Sequence, residues 1–230
     1  MQYLGGKSRL AKEIAEIVNT ERGDRPFWDP FCGGLSVSVA LAKGGPGVVS
    51  DVNPALIALY SAVRDGWNPP ETLTEEEYRA ARRLPDTDPI KAFAGFGCSF
   101  GGRWFQGYAR GAGNYARAAS RSLRRDLAAL PGCRIVCHSF LDETPRPLDL
   151  VIYCDPPYAG TKPYEGAPRF DHALFWSRVQ GWERAGVPCF VSEYACPIPH
   201  RVVWSKTHKS SVRREGPHLD RTEILVRVTP

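Results

Sequence analysis

Leu148-Asp149-Leu150-Val151-Ile152-Tyr153-Cys154 runs directly into Asp155-Pro156-Pro157-Tyr158. The first seven residues are the strongest buried-strand signal in the chain. A short, nearly continuous apolar run is what a parallel strand covered on both faces requires. The prolines that follow fix φ and supply no amide donor, so the strand ends in a stiff turn carrying the Asp155 carboxylate and the Pro156 carbonyl. That turn falls at the C-terminal edge of a sheet, where open α/β folds bind ligands. Such a pair of acceptors can hold both hydrogens of an exocyclic amine while its lone pair faces an electrophile, and Tyr158 offers a ring for a planar base. A plain proline turn capping a strand has the same sequence, so both readings are open here.

Working outward, the segments on either side alternate in the same way. Upstream, Arg134 to Cys137 predicts a strand, and Arg117 to Leu130 a helix with Ala118, Leu123, Leu127 and Leu130 available for packing. Downstream comes a Gly- and Pro-rich loop, Gly160 to Phe170, whose Tyr164 and Arg169 either close over a bound base or belong to a plain surface loop. A helix follows from about Asp171 to Ala185, then strands at Pro188 to Ser192, Arg201 to Trp204 and Glu223 to Val228. At the other end, Gly5-Gly6-Lys7-Ser8 forms a turn before a helix with apolar Leu10, Ile14, Ile17 and Val18. Pro26 to Phe31 predicts a strand breaking into Cys32-Gly33-Gly34, with Leu35 to Ala42 helical, and Val48 to Asp51 a strand leading to Asn53-Pro54, where proline suits a first helical position. Successive βα units predict a parallel sheet with right-handed crossovers.

Between these halves the pattern changes. Asp65 to Leu84 reads as a linker and a solvated helix, and Gly95 to Gly113 as loops with a hairpin. We therefore expect a catalytic α/β domain of residues 1–65 and 133–230, with an insertion over 66–132. From Pro89 to Arg125 there is no acidic residue, although the net charge of the chain is only +5. Distribution thus says more than the total, and this run has the footprint a polyphosphate asks for. The seven cysteines are odd in number and form no Cys-x-x-Cys pair, which argues against a disulfide framework or zinc site. No run approaches a membrane span of about 20 apolar residues. The N-terminal stretch lacks the features of a secretory signal, so a cytoplasmic location is expected and no membrane partner.

Four segments, in order, resemble the Dam-like, D12-class family of DNA adenine N6 methyltransferases. They are Tyr3-Leu4-Gly5-Gly6-Lys7, Asp29-Pro30-Phe31-Cys32-Gly33-Gly34, Ser50-Asp51-Val52-Asn53 and Asp155-Pro156-Pro157-Tyr158. The resemblance spans nearly the whole chain and implies a Rossmann-like α/β fold with a small helical and loop insertion for target recognition. It also implies S-adenosylmethionine as cofactor, no metal, and a flipped adenine in double-stranded DNA as substrate; a restriction endonuclease partner and the oligomeric state are left open by it. By the same resemblance Tyr3 and Lys7 contact the cofactor with Gly5 and Gly6, the loop Asp29 to Gly34 lies under its methionine part, and Asp51 binds the ribose hydroxyls. Phe140 lies where the family places a residue near the cofactor's adenine, and Asp155 also faces the cofactor. Each segment has a bland alternative. Gly33-Gly34 is also a tight turn, Asp51 a helix cap, Lys7 a surface lysine and Phe140 a core residue.

In the acid-free segment, Arg103, Arg110, Arg117 and Arg121 are candidate DNA contacts. Trp104, Phe105, Gln106, Tyr108, Asn114 and Tyr115 are interleaved with them as base readers or wedges. Lys206, His208, Lys209, Arg213 and Arg214, where relatives have a basic hairpin, are candidate phosphate contacts. Either group equally suits a solvated basic face. A nicotinamide-dependent oxidoreductase would need Gly-x-Gly-x-x-Gly after the first strand, and Phe31-Cys32-Gly33-Gly34-Leu35-Ser36 does not match. Transfer to cytosine N4, transfer to adenine in RNA, and a non-catalytic DNA-binding module remain as rivals.

Overall fold

The computed structural model describes residues 1–111, 113–142, 150–160, 170–208 and 221–230. It has one mixed sheet of seven strands: β1 (Phe27–Asp29), β2 (Gly47–Asp51), β3 (Arg134–Cys137), β4 (Val151–Cys154), β5 (Cys189–Glu193), β6 (His200–His208) and β7 (Arg221–Val228). Their order is β3-β2-β1-β4-β5-β7-β6. The first five pair in parallel, while β7 runs antiparallel to both β5 and β6. The chain winds outward from β1 to β3, then crosses back to lay β4 beside β1. The order therefore reverses between β1 and β4, and the crevice at their C-terminal ends is where a doubly wound sheet of this Rossmann-like kind takes its ligand.

Strand alternation divides the core between two faces. Phe27, Val151, Tyr153, Phe190 and Leu225 point into one cluster. Trp28, Ile152, Cys154, Cys189, Val191 and Val226 point into the other. The second cluster is completed by Phe175, Trp176, Val179 and Trp182 of a helix over His172–Arg184, which Asp171 caps by accepting from Leu174 N at 2.9 Å. On the first face lie α1 (Ala11–Arg22), α2 (Ser36–Leu41) and α3 (Pro54–Arg64). Pro54 stands at the start of α3, and Asn53 Oδ1 caps it by accepting from Ala55 N and Leu56 N.

Residues 66–132 pack onto this same first face. α4 (Glu75–Ala81), expected to be solvated, buries Tyr78 and Ala81. α5 (Pro89–Ala92) runs on into a π-helical turn at Phe93–Gly97, and α6 (Tyr115–Ala128) buries Ala116, Ala119, Leu123 and Leu127. The hairpin expected after Gly95 is reduced to one antiparallel bridge between Ser99 and Tyr108. Its aromatics are core instead: Trp104 lies 4.6 Å from Phe96 and 4.9 Å from Phe105, ring centre to ring centre, and Phe105 is buried. The helix over His172–Arg184 is α7.

No helix among the described residues is long and apolar enough to cross a membrane. The loop over Gly160 to Phe170 with Tyr164 and Arg169, and the basic residues Lys209, Arg213 and Arg214, lie outside the described residues except for Gly160 and Phe170.

Close approach of the first two strands depends on a missing side chain. Gly47 opposes Phe27 in register, and a Cβ there would stand 2.4 Å from both the Phe27 ring and the Phe27 carbonyl oxygen. The backbone cannot yield without breaking the β1–β2 ladder. Gly47→Ala should therefore destabilise the fold by about 1–3 kcal/mol or more, as overpacking does. Urea unfolding would show this as a lower midpoint at unchanged slope, and an unchanged midpoint would refute it.

Candidate active site

The crevice between β1 and β4 opens into a cavity of about 1050 Å³. Its lining contains all sixteen candidate cofactor and catalytic residues: Tyr3, Gly5 to Lys7, Asp29 to Gly34, Asp51, Phe140 and Asp155 to Tyr158. Five separate parts of the chain thus reach one space. Tyr3 locks two of them together by packing on the glycine loop, where a Cβ on Gly34 would come within 2.8 Å of Tyr3 Cβ. The loop is further held by Tyr60 of α3, whose hydroxyl donates to the Gly33 carbonyl.

Asp51 Oδ2 accepts from Gly33 N at 3.1 Å and Oδ1 from Asn53 N at 2.9 Å. The cap of α3 is Asn53, so Asp51 is free of that duty and ties the glycine loop to the end of β2. Burial raises its pKa, and these backbone donors oppose the rise. Asp29 is 2% exposed and accepts from Ser38 Oγ at 2.6 Å and Phe31 N at 3.2 Å. Burial pushes it up to about 7. Opposite stand Phe31 and Phe140, with centroids 5.4 Å apart, backed by Phe170 and Phe175. Phe140 is therefore both a wall of the cavity and part of the apolar cluster.

Lys7 is the centre of the polar half. It is only 7% exposed, so it is no surface lysine. Its Nζ lies 2.9 Å from Asp155 Oδ1 and 3.0 Å from Glu223 Oε1, and it donates to the Tyr158 hydroxyl. Burial alone would lower the lysine's pKa; the two carboxylates outweigh it and hold the pKa above the ordinary value. Asp155 is raised by burial, with Lys7 pulling the other way and Glu223 adding to the rise. Tyr158 donates to Glu223 Oε1 at 3.1 Å, meets Tyr194 edge-on at 4.7 Å, and carries Lys7 4.6 Å from its ring centre. Burial and the neighbouring carboxylates raise its phenol strongly. Behind the turn, Glu193 accepts from Ala159 N at 3.2 Å and Tyr194 N at 2.9 Å, fixing the chain just after Tyr158; burial pushes Glu193 up to about 7.

Glu223, Glu193, Tyr194 and Tyr60 escaped the sequence reading, because isolated residues in apolar or mixed segments carry no spacing signal. The resemblance gave Lys7 to the cofactor; the structure spends its ammonium on Asp155, Glu223 and Tyr158.

The candidate DNA contacts are dispersed. Arg103 and Arg121 are exposed, while Trp104 is half-buried and reaches the cavity. Arg110 forks onto Glu75 with two contacts of 2.7 Å. Arg117 and Arg124 face Glu71 at 3.1 and 3.5 Å. The segment lacks acids in sequence but not in space, since residues ahead of it fold back across its arginines. Asn114 caps α6 by accepting from Arg117 N at 2.9 Å. Lys206 lies within β6 rather than in the turn after it, 3.5 Å from Glu13.

Residues 3–92 match the family model of D12 class N6 adenine-specific DNA methyltransferases. The resemblance is thus borne out over three of the four segments, and Asp155 to Tyr158 lie beyond the matched stretch. The match supports methyl transfer and implies S-adenosylmethionine. Among solved structures, the chain is similar to the rRNA methyltransferase aviRa from Streptomyces viridochromogenes, at 19% identity and TM-score 0.43, covering 98% of this chain and 86% of that one. It is similar to a precorrin-6y C5,15-methyltransferase from Geobacter metallireducens at 9% identity and TM-score 0.41, covering 95% and 88%. It is also similar to the 23S rRNA methyltransferase ErmE at 14% identity and TM-score 0.41, covering 98% and 69%. No curated protein matches the sequence.

The residues present suit the implied cofactor. Asp51 accepts from Gly33 N and Asn53 N and keeps lone-pair capacity for a ribose hydroxyl. Phe31 and Phe140 offer an aromatic wall for a purine, and among the described residues lining the cavity the carboxylate side chains outnumber the cations Lys7, Arg82 and Lys91, which favours a sulfonium cation.

The raised Asp29 has a consequence for stability. Unfolded, an aspartate releases its proton near 3.9; folded, Asp29 keeps it up to about 7. In between, the folded chain binds the extra proton, so stability is lost as pH rises through that window. D29N keeps an acceptor for Phe31 N and places a donor toward Ser38 Oγ. Without cofactor, its melting temperature should exceed the wild type's at pH 8 by on the order of 5 °C, with the gap closing at pH 4. An equal gap at both pH values would exclude the carboxylate as the cause.

Proposed function

We propose that this chain is a site-specific DNA methyltransferase that transfers a methyl group from S-adenosylmethionine to N6 of an adenine flipped out of double-stranded DNA. The observation that carries this reading is the Asp155 to Tyr158 turn at the end of β4, sharing one cavity with the glycine loop at the end of β1. Bound there, S-adenosylmethionine supplies an electrophilic methyl group. The chain's own contribution is to grip and orient the acceptor. Asp155 Oδ and the Pro156 carbonyl accept the two amine hydrogens and aim the nitrogen lone pair, and Tyr158, anchored at its hydroxyl, packs against the base. Asp155 then holds the proton that the amine releases. Fixing two reactants in this way can supply about 7–11 kcal/mol of the barrier without a metal or a covalent enzyme adduct.

The duplex would lie over the rim formed by residues 66–132, with Arg103 and Arg121 on phosphates. The exposed Phe100, 64% accessible, is better placed than the half-buried Trp104 and the buried Phe105 to enter the stack.

Two tests follow. Incubated with S-adenosylmethionine and unmethylated genomic DNA, the protein should leave N6-methyladenine within one short motif, mapped by direct sequencing, and Asp155→Ala should abolish it. Methylated cytosine, or activity surviving that substitution, would contradict the reading. For DNA binding, Arg103→Ala and Arg121→Ala should each lower affinity and reduce the slope of log affinity against log salt by about 1. Arg110→Ala, whose charge Glu75 already compensates, should change both far less; equal effects at all three positions would remove the assignment.

A further inference from the structure

We propose that Glu223 is a positioning residue of the methyl-acceptor subsite, balancing the Lys7 charge so that the Asp155 carboxylate is not spent on the lysine and stays available to the substrate amine. This rests on the function proposed above and extends it to a residue outside every motif. The geometry is a shared cation. Lys7 Nζ is 2.9 Å from Asp155 Oδ1 and 3.0 Å from Glu223 Oε1. The side chains of Lys7, Asp155 and Glu223 are 6%, 21% and 10% exposed, so solvent screens them weakly. One cation against two carboxylates leaves a net charge of −1. Were Lys7 paired with Asp155 alone, the pair would be neutral, and the carboxylate a poor acceptor, because an ion pair in a low dielectric holds its charge inward.

The chemistry needs that surplus charge. As the amine lone pair forms the C–N bond, the methyl–sulfur bond breaks with its electrons going to sulfur, and positive charge passes to the nitrogen. One N–H proton then moves to Asp155 Oδ and leaves for solvent with the product. A cluster of charge −1 favours both the developing cation and the proton's acceptance. Glu223 contributes a second constraint, since Tyr158 donates to it at 3.1 Å and so cannot rotate away from the turn.

Among the described residues, the other charged or titratable groups around the cluster are Asp29 at the end of β1, Tyr153 and Cys154 on β4, Glu193 and Tyr194 at the end of β5, and Lys206 across from Glu223 on β6. Arg221 lies over the Tyr194 ring at 5.4 Å. Lys206 is directed to Glu13 at 3.5 Å.

The test uses Glu223→Gln, Glu223→Asp and Lys7→Gln in the full chain. Carbon-13 NMR of the Asp155 carboxyl against pH reads the charge without turnover. We expect its midpoint to fall in Glu223→Gln and to rise in Lys7→Gln. In steady-state methylation, Glu223→Gln should lose roughly 10- to 100-fold in kcat, the scale of a charged hydrogen bond. The acidic limb of its pH profile should move to lower pH, calorimetric affinity for S-adenosylmethionine should stay within about twofold, and Glu223→Asp should recover part of kcat. An unmoved Asp155 midpoint, an unchanged kcat, or a loss confined to cofactor affinity would overturn the proposal. Should Glu223→Gln fail to fold, Lys7→Gln and Glu223→Asp carry the same titration test. Failure of the proposed function would look different: a wild-type product other than N6-methyladenine, with the Asp155 titration still responding to Glu223.

Discussion

A single buried ammonium joins the parts of this molecule that act together. Lys7 comes from the loop before α1, Asp155 and Tyr158 from the turn after β4, and Glu223 from β7, two strands further along the sheet. Burying a lone lysine would cost several kcal/mol, and so would burying either carboxylate alone. Each charge is tolerated because the others are there. The N-terminal loop is therefore pinned across the sheet's C-terminal edge, where it closes one side of the cavity. Tyr3 extends the same constraint to the glycine loop, and Leu4 N donates to the Gly102 carbonyl at 3.3 Å, tying in the region after α5.

Topology decides why these groups meet at all. The reversal between β1 and β4 brings two strand ends together with no strand between them, and both end in Asp-Pro: Asp29-Pro30 and Asp155-Pro156. One aspartate is sealed beneath the loop by Ser38 and the Phe31 amide, and the other faces the cavity and Lys7. The same residue pair thus does two jobs, set by environment. The two acids differ accordingly, Asp29 bracing the loop and Asp155 pairing with Lys7 at the cavity wall.

Much of this was legible in the sequence, for identifiable reasons. Leu148 to Cys154 and the βα units before it announced a parallel sheet because buried strands need unbroken apolar runs. The four motifs announced the cavity because glycine loops and proline turns are local devices. Glu223 was not legible, being one acid in a mixed strand whose role exists only through residues more than 60 positions away. Nor was the packing of Trp104 and Phe105 into the core. Their packing depends on Gly95, where a Cβ would stand 2.6 Å from Trp104 and 2.7 Å from Phe105. The run of arginines misled for a related reason, since Glu71 and Glu75 are distant in type and pattern yet adjacent in space.

The most direct measurement is a crystal structure with sinefungin, in which an amine replaces the sulfonium methyl. The proposed function predicts that amine directed toward Asp155 and the Pro156 carbonyl, at about 3–3.5 Å for a group poised to react, with the ribose on Asp51. A ligand seated elsewhere, or an amine end remote from Asp155 with the Asp155 side chain turned into packed interior, would contradict it.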